Sequence, residues 1–346
     1  MLPEEKRETA RVNHVHPLII SNNYTNFLLR FSIMKTILVT GGSGLVGQGI
    51  KTATSHNYPN PKYIFKYVSS KECDLSSMED TRKLFDAIRP SHVIHLAACV
   101  GGLFKNMHHK VDMLEKNLLI NYNVVKCCHE FGVEKLVACL STCIFPDKTT
   151  YPINEAMLHD GPPHVSNDAY AYAKRMLEIQ CKAYRENYGS NFQCVIPTNI
   201  YGPHDNYHLE DAHVIPALIH KCYLAKKNNE PFVMRGTGKP LRQFIYSQDL
   251  ADLIMWTLEF NDEPTIILSV PEDKEVSIEY VARIIARNFE YEHKLTFDPS
   301  FSDGQFKKTA DNSLLASKLN YNFTPIEEGI SRSIMWFIDN YEIARK

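Results

Sequence analysis

A glycine-rich turn between a strand and a helix constrains this chain more than any other feature of its sequence. Residues 36–40 (TILVT) are an uninterrupted apolar run, and residues 40–47 (TGGSGLVG) follow at once. Gly41, Gly44 and Gly47 space the turn as G-x-x-G-x-x-G, with Gly42, Ser43, Leu45 and Val46 completing it. A turn without Cβ atoms lets the backbone approach a pyrophosphate. The helix that follows offers its free N–H groups and positive end to the same anion. The flanking strand and helix separate this motif from a merely structural glycine turn.

Beyond the turn, β-rich runs alternate with helical periodicity. Residues 63–68, 92–97, 135–141 and 192–198 read as strands. Over 111–130, Val111, Leu114, Leu118, Tyr122 and Val125 recur at helical spacing. Apolar strands alternating with helices mean a parallel sheet covered on both faces, an α/β doubly wound Rossmann-type fold. After residue 201 the rhythm loosens. Helices are expected at 213–226, 277–288 and 326–341, a strand and helix within 244–260, and a strand at 266–270. The expected division is a dinucleotide-binding domain of residues 34–200 plus about 244–262, beside a smaller substrate-binding lobe of 201–243 plus about 263–346.

Composition excludes several classes. With 346 residues and a net charge of −2, the chain has no global positive field for nucleic acid or anionic membrane. It also lacks an apolar run near the roughly 20 residues a membrane span needs. The first 33 residues carry Glu4, Glu5 and Glu8, and Arg30 breaks the apolar patch at 27–33, so neither a secretory signal nor a transit peptide fits. They are read as a disordered extension. Nine cysteines without a C-x-x-C pair read as reduced thiols in a cytoplasmic protein.

Two regions carry chemistry. The second strand ends at 67–71 (YVSSK), where an acidic residue usually receives a ribose 2′-hydroxyl. The sequence offers Ser69, Ser70 and Lys71 there and no carboxylate, which favours NADP over NAD. Asp74 either hydrogen-bonds the adenine or caps the next helix. Further on, Tyr170 and Lys174 lie four residues apart on one helical face. A nearby ammonium lowers a phenol's pKa and fits it for proton exchange with a carbonyl. Tyr172 has no lysine at plus four. His204, His208 and His213 have metal-like spacing but lie among loop residues, so no metal is expected. His108 and His109 read as an exposed stretch after a loop at 100–106 that borders a substrate.

With the glycine turn, Ser141 at a strand end and the Tyr170/Lys174 pair, the chain resembles the extended short-chain dehydrogenase/reductase superfamily. Residues 141–146 (STCIFP), 197–206 (PTNIYGPHDN), 213–218 (HVIPAL), 241–244 (LRQF) and 302–308 (SDGQFKK) narrow this. In that order they resemble the GDP-L-fucose synthase family, the GDP-4-keto-6-deoxy-D-mannose 3,5-epimerase/4-reductases, from about residue 35 to the C-terminus.

The resemblance implies an NADP-dependent enzyme. Ser141 and Tyr170 would hydrogen-bond the C4 oxygen, while Cys143 and His213 would exchange the C3 and C5 protons. Tyr170 would then protonate the C4 oxygen, and Lys174 would also hold the nicotinamide ribose. Leu140, Ser141, Pro197, Thr198, Asn199, Ile200 and His213 would line the cofactor. Lys221 and Arg242 would bind the diphosphate of the GDP-sugar, and Asp303 the sugar nucleotide. Arg235 stands where the family often has tryptophan, suited to stacking or to pairing with phosphate. A homodimer through the helices at 111–130 and 169–188 is also implied. A sugar-nucleotide 4,6-dehydratase or 4-epimerase is the alternative, yet dehydratases need an Asp-Glu pair where Thr142 and Cys143 stand. A non-catalytic NADP-binding sensor would predict a damaged proton relay.

Overall fold

A strand buried on both faces needs helices above and below it, and the first strand sets that pattern here. In the computed structural model, which describes residues 34–56, 62–301, 303 and 305–346, the last four residues of β1 (Lys35–Thr40) are all buried. The extension expected at 1–33 lies outside the described residues. β2 (Tyr63–Val68), β3 (His92–His95), β4 (Lys135–Cys139), β5 (Phe192–Pro197) and β6 (Thr265–Leu268) join β1 in one sheet of order β6-β5-β4-β3-β1-β2. Every neighbouring pair is parallel. β3, β4 and β5 are buried throughout, whereas edge strand β2 alternates, as partial exposure dictates.

Side chains one residue apart feed opposite faces of the sheet. Ile37, Val39, Ile94, Val137 and Val195 pack on α1 (Leu45–His56) and the helix Ser247–Phe260. Leu38, Val93, Leu136, Cys194 and Ile196 pack against α2 (Met78–Ile88), α3 (Lys110–Glu130) and α4 (Asp168–Tyr188). Each such fully buried aliphatic side chain contributes about 1.5–3 kcal/mol. A third core gathers around Tyr207, Phe232, Met234, Phe244 and Phe337, on α5 (Val214–Asn228), Ile278–Asn288 and Ile326–Asp339.

Three details differ from expectation. β3 and β4 stop at His95 and Cys139, two residues early, leaving Ala97 and Ser141 free to shape the cleft. The run at 192–198 ends at Pro197, which has no N–H to continue a ladder. The chain then forms a separate strand, Asn199–Tyr201, paired in parallel with Phe244–Tyr246. Finally, β6 pairs with β5, so the sheet includes residues that the expected boundary near 262 gave to the lobe.

β1 lies between β2 and β3, so the chain leaves it on one side and returns on the other. Ligands of such sheets bind beyond the carboxyl ends of the strands at this switch point. The glycine turn opens there.

Candidate active site

The turn is held by backbone contacts that a side chain would destroy. Gly41 has φ of +70°, and a Cβ there would lie 2.9 Å from the Ala97 nitrogen. A Cβ on Gly47 would lie 2.7 Å from the Gly41 oxygen, so the first turn of α1 rests directly on the loop. The Gly42 N–H donates to the Val68 oxygen at 3.0 Å, which fastens the turn to the end of β2. The first N–H groups of α1 have no acceptor within the helix. Cβ-free backbone facing a helix N-terminus fits a dinucleotide diphosphate.

At the end of β2 the structure corrects the sequence reading. The Ser69 N–H and hydroxyl both donate to the Glu72 carboxylate, at 2.8 and 2.7 Å. A carboxylate therefore stands where none was expected, brought back by a three-residue turn. Ser70 and Lys71 are exposed beside it. Of the two roles open to Asp74, capping is taken by another residue. Asp74 accepts from the Ser76 N–H and hydroxyl, while Ser77 caps α2 by accepting from the Asp80 N–H at 3.2 Å.

At the other end of the cleft, α4 carries Tyr170 and Lys174 on one face and turns Tyr172 outward. The Lys174 ammonium is buried, donates to the Cys139 oxygen at 2.7 Å, and lies 5.9 Å from the centre of the Tyr170 ring. Burial pushes the Lys174 pKa down and the Tyr170 pKa well up, with Cys143, Cys139 and Cys99 adding to the latter. The phenol is thus held protonated, opposite to the lowering expected from the lysine alone. A side-chain relay fixes the helix: Thr40 Oγ1 meets His95 Nδ1 at 2.8 Å, and His95 Nε2 meets Asn121 Oδ1 at 3.1 Å. The Asn121 amide then donates to the Ala173 oxygen at 3.3 Å.

Ser141 caps the short turn Thr142–Ile144, its oxygen accepting the Cys143 N–H at 3.4 Å. Arg175 Nε donates to the Ile144 oxygen at 2.6 Å, tying that turn to α4. Ser141, Cys143, Tyr170 and Lys174 are thereby brought together. Burial raises the Cys143 thiol, opposed first by the Lys308 ammonium, then by Ser141 and Lys174. His213 precedes α5 as its N-cap residue. Solvent reaches its imidazole, while the protein around it lowers its pKa. Its loop is pinned where the Gly102 N–H donates to the Asp211 oxygen at 2.9 Å, and a Cβ on Gly102 would meet that oxygen. A cavity of about 390 Å³ opens beside Asp211, lined also by Cys99, Lys105, His108, His109, Asp112 and Lys116. The two histidines thus face a pocket, beyond the exposed stretch expected of them.

The residues expected at the substrate divide into groups. Lys221 and Arg235 are close enough for like-charge repulsion to help depress the Lys221 pKa, after burial, with Glu210 opposing. Arg235 lies 3.7 Å from Glu210 and stacks 4.8 Å over the Phe301 ring, so it presents a flat guanidinium as an indole would a ring. Arg242 stands elsewhere, donating to the Leu241 and Gln305 oxygens at 2.7 Å each. Asp303 closes the Gly236–Gly238 turn, accepting from the Thr237 N–H and hydroxyl at 2.6 Å each. Lys308, overlooked in the sequence despite its motif, is the cation most strongly felt by Cys143.

On the cofactor side, Thr198 Oγ1 is buried without a partner among the described residues, and Asn199 is anchored to the Gln243 oxygen. All nine cysteines are free. The remaining histidines of the metal-like run are otherwise engaged. His204 packs 4.5 Å from the Trp336 ring, and His208 accepts from the Glu210 and Asp211 N–H groups. Among the described residues no three His, Cys, Asp or Glu side chains gather as metal ligands would.

Comparison with known proteins places these features in a family context. The NAD dependent epimerase/dehydratase family matches residues 37–268. A GDP-L-fucose synthase of Dictyostelium discoideum is 59% identical over 315 residues, covering 90% of this chain and 98% of its own length. A probable GDP-L-fucose synthase of Drosophila melanogaster is 48% identical, covering 90% of this chain and 100% of its own. The crystal structure of a GDP-L-fucose synthetase from Naegleria fowleri bound to NADP superimposes with a TM-score of 0.86 at 46% identity, covering 90% of this chain and 95% of that one.

Proposed function

The chain belongs to the NAD dependent epimerase/dehydratase family and, within it, to the GDP-L-fucose synthases, and we propose that it converts GDP-4-keto-6-deoxy-D-mannose to GDP-L-fucose by C3/C5 epimerisation and NADPH-dependent reduction of the C4 ketone. The observation that carries this reading is the convergence of the Ser141–Cys143 turn on Tyr170 and Lys174, joined by the Arg175–Ile144 bond.

The C4 carbonyl acidifies the C–H bonds on both sides of it, and negative charge gathers on its oxygen as either proton leaves. Ser141 donates a hydrogen bond from its hydroxyl to that oxygen, while the Cys143 N–H holds the serine oxygen in place. Cys143 and His213 form the acid–base pair. Burial favours the neutral thiol and the protein around His213 favours its neutral imidazole, so one member has a proton to give and the other a site to receive one. Each epimerisation removes a proton on one face and returns one on the other, at C3 and at C5. NADPH, when bound, supplies the hydride that reduces C4. Tyr170, kept protonated by burial, gives its phenolic proton to the C4 oxygen, while the Lys174 ammonium steadies the phenolate that remains.

The glycine turn holds the diphosphate of the cofactor, and Ser69 and Lys71 hold its 2′-phosphate. Pro197, Thr198, Asn199 and Ile200 line its nicotinamide end. Lys221 and Arg235 take the diphosphate of the GDP-sugar, on the lobe that begins at residue 201, while Arg242 meets the substrate from the strand that precedes Gln243. Two copies of the chain pair through α3 and α4. These helices expose Leu119, Tyr122, Met176 and Ile179 beside an apolar groove lined by Leu118, Ala173 and Leu177. Nine free thiols fit a reducing, cytoplasmic setting. No helix among the described residues is long and apolar enough to cross a membrane.

Incubating the protein with GDP-4-keto-6-deoxy-D-mannose and NADPH tests the reading. The expected result is cofactor oxidation with GDP-L-fucose as product. An unepimerised GDP-6-deoxy sugar would remove the roles of Cys143 and His213. Sedimentation at twice the 39.7 kDa chain mass checks the pairing.

A further inference from the structure

We infer that Glu72 sets how strictly this enzyme separates NADPH from NADH. Its carboxylate holds the two Ser69 donors that a 2′-phosphate needs, and it offers a ribose 2′-hydroxyl an acceptor in their place. The inference rests on the reading that puts the 2′-phosphate at Ser69 and Lys71.

Three observations carry it. The Ser69 N–H and hydroxyl converge on one carboxylate group at 2.8 and 2.7 Å, as two donors would on a phosphate. These bonds hold Glu72 ionised, below the usual carboxylate range. The location is that of the cofactor: Val68, the preceding residue, accepts the Gly42 N–H of the glycine turn. The turn also does not depend on the Glu72 side chain, because the Glu72 and Cys73 N–H groups already donate to the Ser69 oxygen at 3.1 and 3.2 Å. Asp74, the other carboxylate on this segment, is engaged by Ser76.

A dianionic 2′-phosphate arriving here must displace Glu72 from Ser69 and then tolerate its charge, with Lys71 as the compensating cation. A 2′-hydroxyl instead donates to the carboxylate, the role an acid plays at this strand end in NAD-binding sheets. Glu72 therefore narrows the preference for NADPH and admits NADH.

Fluorescence titration of both reduced cofactors at fixed ionic strength tests this in the wild-type chain, Glu72→Gln and Ser69→Ala. Glu72→Gln keeps the side chain's size and an acceptor oxygen but removes the charge. It is expected to tighten NADPH about fivefold and weaken NADH about twofold, the scale of an exposed charge contact. The NADPH gain should shrink as salt is raised. Equal changes for both cofactors, or none for either, would overturn the role of Glu72. Ser69→Ala should weaken NADPH and spare NADH. If it leaves NADPH unchanged, the 2′-phosphate lies elsewhere and the placement falls together with the inference. If Ser69→Ala acts while Glu72→Gln is inert, only the inference falls.

Discussion

The two ends of the cleft are tuned by opposite physics. At the adenosine end, Glu72 and Asp74 are exposed, and both are held below the usual carboxylate range by serine hydrogen bonds. At the reacting end, burial is the leading cause for Tyr170, Cys143 and Lys174, and it moves each toward its neutral form. Water screens the first end, whereas Cys143 and Lys174 at the second are buried. Cofactor choice therefore rests on contacts worth a small factor, while the chemistry rests on groups whose proton states solvent hardly adjusts.

Substitutions that break this contrast should be ordered accordingly. Tyr170→Phe removes the proton donor and should lower C4 reduction by about 10²–10⁴-fold, while exchange of C3 and C5 protons with deuterated solvent falls less. Single-turnover NADPH oxidation and mass analysis of the sugar would separate the two. Cys143→Ser should reverse the pattern, lowering deuterium exchange by about 10²-fold or more and leaving hydride transfer the less affected step. Equal losses of both activities in each variant would sink this division of labour. Gly102→Ala forces a Cβ to 2.9 Å from the Asp211 oxygen and should disturb the loop holding His213, costing about tenfold in exchange with little change in NADPH affinity.

The smallest effect belongs to pH. Exchange needs a neutral imidazole and a protonated thiol together. The imidazole pKa is lowered, so the acid limb should fall below the ordinary value of 6.5. The thiol pKa is raised, so the alkaline limb should lie above the ordinary value of 9.0. A plateau through neutrality is therefore expected in exchange rate against pH. A bell narrowed to either side of pH 7 would mean that this pair does not carry the exchange.

What the sequence disclosed and what it withheld follow the same division. The glycine turn, the sheet strands and the Tyr170/Lys174 spacing are local patterns, and periodicity or a short motif exposes them. The separate strand Asn199–Tyr201 was hidden because its interruption is a single proline inside an apolar run. The direction of the Tyr170 shift needs burial and three thiols from distant segments, none of which spacing reveals. Glu72 escaped because the acid was sought at the strand end, and the turn that carries it back is visible only in three dimensions. Asp303 was read as a ligand contact, and only the fold reveals that its carboxylate also closes the turn at Thr237.

The relay from Thr40 through His95 and Asn121 to Ala173 has a consequence for how the enzyme can be altered. It fastens the residue before the glycine turn to the helix that bears Tyr170 and Lys174, across the carboxyl ends of β1 and β3. Burial pushes the His95 pKa down to about 3, so this brace keeps its imidazole neutral around neutral pH. The hydride donor and the proton donor are thus surveyed from a common benchmark. An engineer can regrade either end of the cleft, but displacing that benchmark shifts both partners of the reduction together.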